Sequence, residues 1–210
     1  MSKYKRVLVL APHTDDGELG CGSSINKFAA EGAEVTYVAF SICTRSLPEG
    51  LAPDTLAKEV AAATKILGVK PENLILYDYD VRHFPANRQP ILEELVKIGR
   101  DVKPDLVLQP NSADIHQDHH VIYQEGLRAF KNTTIFGYEL PWNNLSFNTS
   151  CFVKLDEQHI AKKVEALKEY KSQSHRKYLN EAFIRGLAQT RGTQIGVDWA
   201  EAFELIRLIV

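Results

Sequence analysis

Short apolar runs alternate along this chain with longer stretches of helical spacing. Residues 7–11 (VLVLA) contain no polar position, the pattern of a strand buried on both faces. Residues 35–40 (VTYVAF), 74–77, 105–109 (DLVLQ) and 135–139 repeat the apolar theme and predict four further strands. Between them, residues 23–31 put Ile25, Phe28 and Ala29 on one helical face, with Gly32 as a stop. Helices are also predicted over 54–67, 88–102 and 118–131; the first has Asp54 as its N-cap and Gly68 as its C-cap. The glycine-rich residues 17–22 read as a turn. After 151–155 the pattern becomes helical, over 157–171 and again over 178–187.

Strands alternating with helices predict βαβ units. The expected fold is α/β: a Rossmann-like, mostly parallel sheet flanked by helices, with right-handed crossovers and a helical C-terminal extension. No repeat, low-complexity tract or linker interrupts residues 1–210, which read as one domain. Ligands of such sheets sit beyond the carboxyl ends of the strands. That rule selects the loops after 7–11 and after 105–109.

Those loops carry the chain's chemistry. The first reads Pro12-His13-Thr14-Asp15-Asp16-Gly17-Glu18; the second runs from Asn111 to His120 and holds Asp114, His116, Asp118, His119 and His120. Imidazole nitrogens and carboxylate oxygens are natural Zn²⁺ ligands, and a catalytic zinc needs three of them plus an open position. Acids at a helix start are common for electrostatic reasons alone. Helix capping therefore accounts for either acid singly, but not for two such loops at neighbouring strand ends. Spacing leaves the third ligand open, because His116 and His120, four apart, also share a helical face.

Other chemistries fit less well. Gly20-x-Gly22 starts a dinucleotide fingerprint, but Ile25 stands where its third glycine belongs. Its glycines instead allow a tight turn or a close approach to a metal or sugar. No G-x-S-x-G elbow exists. Cys21 and Cys43 read as buried structural thiols.

The net charge of −2, without a Lys/Arg run, argues against a nucleic-acid partner. No stretch approaches the ~20 apolar residues of a membrane span, and the first apolar run is too short for a signal peptide. Three widely spaced cysteines fit a reducing compartment. A soluble, cytoplasmic protein is expected.

The two loops resemble the PIG-L/LmbE superfamily of deacetylases, whose members carry (P/A)-H-x-D-D near the N-terminus and H-x-D-H about a hundred residues later. Here the motifs are Pro12-His13-Thr14-Asp15-Asp16 and His116-Gln117-Asp118-His119. Lys163 to Gln173, Arg191-Gly192 and Ala200 to Phe203 resemble the family's C-terminal segments. Gly17 separates the Asp pair from Glu18, and Thr14 and Gln117 stand where proline is frequent. The resemblance implies a metal-dependent hydrolase removing an N-acetyl group from an amino sugar or conjugate. It implies His13, Asp16 and His119 as zinc ligands, His119 in preference to His120, and Asp15 as general base to the zinc-bound water. His116 would serve the oxyanion or the leaving amine, oriented by Asp118.

Arg45 resembles a substrate-binding arginine of the family, and Arg82, after the third strand, is a second candidate for an anionic substrate group. Trp142 is a candidate sugar platform or a core residue. The implied partner is a small amino-sugar substrate. Fe²⁺ or Co²⁺ would suit the same ligands. A homo-oligomer, and a binding module that kept the fold without catalysis, stand as alternatives.

Overall fold

The computed structural model describes residues 3–210. Its centre is β1 (Arg6–His13), whose residues alternate between two buried faces. Val7, Val9 and Ala11 join one apolar cluster, whereas Leu8 and Leu10 join another. Each of these valines and leucines contributes about 1.5–3 kcal/mol relative to exposure. This double burial is why the run has no polar position.

Helix α1 (Asp16–Ala30) follows β1, then β2 (Glu34–Ser41), α2 (Thr55–Ile66), β3 (Leu74–Leu76) and α3 (Arg88–Val102). Next come β4 (Leu106–Pro110), α4 (Gln117–Ala129) and β5 (Thr134–Tyr138). The chain continues through β6 (Cys151–Leu155), α5 (Glu157–Leu167), α6 (Glu181–Thr193) and β7 (Trp199–Arg207). The seven strands form one mixed sheet in the order β3-β2-β1-β4-β5-β7-β6. The first five are mutually parallel; β7 runs antiparallel to both of its neighbours. Among the described residues six α-helices flank the sheet. Residues of α1, α2 and α5 pack on the face of Val7 and Val9, and residues of α3 and α4 on the face of Leu8 and Leu10. Among the described residues no helix is long and apolar enough to cross a membrane.

Two features depart from the pattern. The glycine-rich stretch is helical, so α1 starts seven residues before the predicted position. Gly17 and Gly20 approach the sheet: a Cβ on Gly17 would lie 2.6 Å from the Tyr37 ring, and one on Gly20 would collide with the Tyr138 ring. The second departure is β7, which the C-terminal segment inserts between β5 and β6. Its residues Ala200 to Phe203 are buried on both faces, so they show no apolar/polar alternation.

Helix α1 is also broken at Cys21 (φ −148°, ψ 25°). A break exposes orphan N–H and C=O groups. The Glu201 carboxylate on β7 accepts the Ser23 and Ser24 amides at 3.1 and 2.8 Å. Lys163 on α5 donates to the Leu19 carbonyl at 2.6 Å and to Glu201 at 2.8 Å. Both side chains are buried. Removing one partner of such a pair leaves the other charge buried and alone, at a cost of about 3–5 kcal/mol. Glu201→Ala should therefore lower unfolding stability in urea by about 3–5 kcal/mol. Glu31→Ala, which breaks the surface pair with Lys27, should cost at most about 1 kcal/mol.

Candidate active site

Strand order reverses between β1 and β4, the topological switch point of a doubly wound sheet. The carboxyl end of β1 delivers His13, and Asp16 opens α1 three residues later. The loop after β4 delivers Asp114 and His116, and the first turn of α4 delivers Asp118 and His119.

Three donor atoms from these elements converge. His13 Nδ1 lies 3.1 Å from Asp16 Oδ2. His119 Nε2 lies 3.2 Å from the same oxygen and 3.2 Å from His13 Nδ1. The other ring nitrogens are committed: His13 Nε2 is 3.1 Å from Asp118 Oδ2, and His119 Nδ1 is 2.7 Å from Asp114 Oδ2. In the tautomers in which Asp118 and Asp114 each accept a ring N–H, the single proton of each neutral ring sits on the outer nitrogen. The inner nitrogens of neutral rings therefore present bare lone pairs to each other and to Asp16. Only a cation, a proton or a metal, relieves that confluence. Donors bound to zinc at about 2.0–2.1 Å in a tetrahedron stand roughly 3.3 Å apart, so this triangle suits such an ion.

Ring nitrogens of His13, His116 and His119 also lie within 4.8 Å of one another. His116 is the poorer donor. Its Nδ1 accepts the Asp118 backbone N–H at 3.2 Å, which leaves the proton on Nε2. His120 points outward and contacts Gln124 at 2.7 Å. Of these neighbouring histidines, His119 joins the cluster and His120 does not.

The electrostatics follow from this packing. Burial opposes a charged His119, but the Asp16 carboxylate, then the bond to Asp114, lift its pKa to about 10. Burial likewise opposes charge on Asp16, yet the facing His119 and His13 hold it well below the usual carboxylate range. Asp15, the N-cap residue of α1, is raised to about 6 by burial and then by the Asp16 charge. His116 is lowered by burial and by the neighbouring His119 and His13.

Glu18 locks the loop from below. The Tyr37 and Tyr170 hydroxyls each sit between a Glu18 oxygen and the Thr14 carbonyl. Two phenolic hydrogens cannot fill four oxygen–oxygen contacts; a proton on Glu18 supplies a third. Burial raises Glu18 to about 8 despite the tyrosine hydrogen bonds that favour its ionised form. The cluster fixes the carbonyl immediately before Asp15.

A pocket of about 270 Å³ opens above the triangle, lined by His13, Asp15, Asp16, His116 and His119 among others. Arg82 also lines it. Arg45 does not: it sits on an adjoining depression, paired with Asp80 at 2.9 Å. Asp118 departs from its expected role too. Its carboxylate holds His13 and accepts the Arg82 and Phe84 amides, and it bonds His116 only through its backbone. Trp142 lines the pocket, with Tyr178 stacked on it at 4.0 Å. Sequence alone assigns no individual role to Asp114, Gln173, Arg176 or Tyr178. The last three come from a segment some 55 residues beyond the second motif, and no spacing rule marks them.

Because the metal-free His119 is protonated at pH 7, an incoming cation displaces that proton. Zinc titrated into metal-stripped protein at pH 7 should release about one proton per ion or more. Calorimetry in buffers of different ionisation enthalpy measures this, and buffer-independent heats would contradict it.

The "GlcNAc-PI de-N-acetylase" (PIG-L) family model matches residues 8–130, which include both loops. The chain is 35% identical over 178 residues to the uncharacterized deacetylase YaiS of Escherichia coli, covering 81% of this chain and 93% of that protein. It is 31% identical over 124 residues to diacetylchitobiose deacetylase of Thermococcus kodakarensis, covering 55% of this chain and 45% of that protein. The N,N'-diacetylchitobiose deacetylase structure from Pyrococcus horikoshii superposes with a TM-score of 0.81 at 24% identity, over 96% of this chain and 84% of that one. The family match spans more than half the chain, so this protein belongs to the PIG-L de-N-acetylase family.

Proposed function

We propose that this protein is a metal-dependent hydrolase that removes the acetyl group from the nitrogen of an amino sugar or N-acetylglucosamine conjugate. The observation that carries the reading is the triangle of His13 Nδ1, Asp16 Oδ2 and His119 Nε2, with Asp15 beside it in the same pocket. The relatives named above are deacetylases, and the one from Thermococcus acts on diacetylchitobiose. That supports an N-acetyl sugar as substrate.

His13, Asp16 and His119 would hold the metal, and a nitrogen-and-oxygen set of this kind suits Zn²⁺, with Fe²⁺ or Co²⁺ as alternatives. A divalent cation there supplies Lewis acidity that polarises an amide carbonyl and makes water acidic near neutral pH. Asp118 and Asp114 hold the two imidazoles in the ligating tautomer. Asp15 accepts a proton from the attacking water. His116, which lines the pocket, would offer its Nε2–H as a donor to the oxygen that gains charge as the carbonyl becomes tetrahedral. When the C–N bond breaks, the amine takes up a proton, and acetate and the free amino sugar leave.

A binding module without catalysis would have no need of an acid raised to about 6 beside a metal triangle. Acetate release from N-acetyl amino sugars tests the reading. Asp15→Asn should lower turnover at least 100-fold while zinc content stays near one per chain, and His13→Ala should lose both metal and activity. Full activity in Asp15→Asn would overturn the role of Asp15. A base must be ionised, so kcat/KM should fall as pH drops through its pKa. A bound cation lowers that pKa from about 6, so an acid limb that belongs to Asp15 should lie below pH 6.

A further inference from the structure

Two arginines line the pocket, and among the described residues neither makes a close ion pair with a carboxylate. Arg82 comes from the loop after β3 and makes no side-chain ion pair or hydrogen bond among the described residues. Its backbone is left-handed (φ 70°), a conformation that persists in a non-glycine residue only where the surroundings impose it. Here the imposing contact is Asp118, whose Oδ2 accepts the Arg82 amide at 2.6 Å. The same carboxylate orients His13. The position of Arg82 is thus tied to the reactive cluster.

Arg176 comes from the segment between α5 and α6. Its Nε donates to Gln173 Oε1 at 2.6 Å, and Gln173 is buried. Its guanidinium lies 5.7 Å from the centre of the Tyr178 ring. Tyr178 in turn stacks on Trp142, with centroids 4.0 Å apart and planes 12° apart. Arginine, tyrosine and tryptophan make a layered wall, so Arg176 is held in place before any ligand arrives. Ordering an arginine on binding normally costs conformational entropy, and here much of that ordering is already done.

The charges lining the pocket do not balance. Its carboxylates are Asp15 and Asp16, which a bound divalent cation offsets. The two guanidinium groups then remain in excess, inside a concave site where charge is poorly screened. Guanidinium is the side chain best matched to the paired oxygens of carboxylate or phosphate.

We propose that Arg82 and Arg176 form a subsite for an anionic group, a carboxylate or a phosphate, on the substrate beyond its N-acetyl sugar. The protein would act on acidic amino-sugar conjugates in preference to neutral ones. The sugar half of this statement rests on the deacetylase reading above; the anion half rests on the arginines.

The test is calorimetric binding to zinc-supplemented Asp15→Asn protein, in which turnover is suppressed. The ligands are N-acetylglucosamine, its 1-phosphate and its carboxymethyl glycoside. Both acidic ligands should bind at least about tenfold more tightly than the neutral sugar, since hydrogen bonds to charged groups are the strong class. Arg176→Gln and Arg82→Gln should each weaken acidic ligands about 10- to 100-fold and change the neutral sugar little. Arg176→Lys should keep part of the gain, and added salt should erode it. The stronger of the two acidic ligands identifies the anion as phosphate or carboxylate. Unchanged melting temperatures show that the variants are folded. Equal affinity for acidic and neutral ligands, no binding of either acidic ligand, or equal losses for all three in the variants would overturn the proposal. Acetate release by the wild type separates the two readings. Discrimination without acetate release would refute the deacetylase and leave the subsite standing.

Discussion

The parallel pairing of β1 with β4 is the constraint on which the reactive cluster depends. Val7, Leu8 and Val9 pair with Leu106, Val107 and Leu108. That register brings His13 and His119, 106 positions apart, to a nitrogen–nitrogen distance of 3.2 Å. It is held by burial on both faces: Val7 and Val9 belong to one apolar cluster and Leu8 to the other. A slip of one residue would exchange the two sets of side chains and move the strand end by about 3.3 Å. A donor triangle with sides of 3.1–3.2 Å does not survive such a shift.

Around the triangle, each imidazole is fixed by a carboxylate that also serves another element. Asp118 holds His13 and the amides of Arg82 and Phe84, so one side chain joins the loops after β1, β3 and β4. Asp114 holds His119 and also accepts the His116 amide. Beneath them Glu18 and two tyrosines fix the Thr14 carbonyl. The cluster is rigid because its supports are shared, and disturbing one loop reaches the others through a single carboxylate.

The parallel strands were legible because complete burial leaves an unbroken apolar run. Helix α3, with its spaced Ile91, Leu95 and Ile98, appears over the predicted residues. The two reactive loops were legible because histidine and aspartate rarely crowd two adjacent strand ends without a chemical reason. What pattern cannot carry is the direction in which an irregular loop points. Arg45 pairs with Asp80 outside the pocket, and Asp118 turns to His13 rather than to the ring of His116. Nor does it carry tertiary stabilisation of glycine-rich helix: Gly17 and Gly20 resemble a turn until Tyr37 and Tyr138 are packed over them. Strand β7 mixes Ala200, Ala202, Glu201 and Glu204, and the buried role of Glu201 exists only against the break in α1.

The placement of β7 also bears on how this chain emerges from a ribosome. Strands β1 to β5, with every candidate metal donor, are synthesised well before it. Yet among the described residues β6 pairs only with β7, and β7 fills the place beside β5. Until residues 199–207 are available, β5 presents an unpaired edge and β6 has no neighbour, the condition in which nascent sheets associate wrongly. The amides of Ser23 and Ser24 wait for the same strand, since Glu201 is their acceptor. Strand β7 thus closes the sheet and seals the first helix in one step.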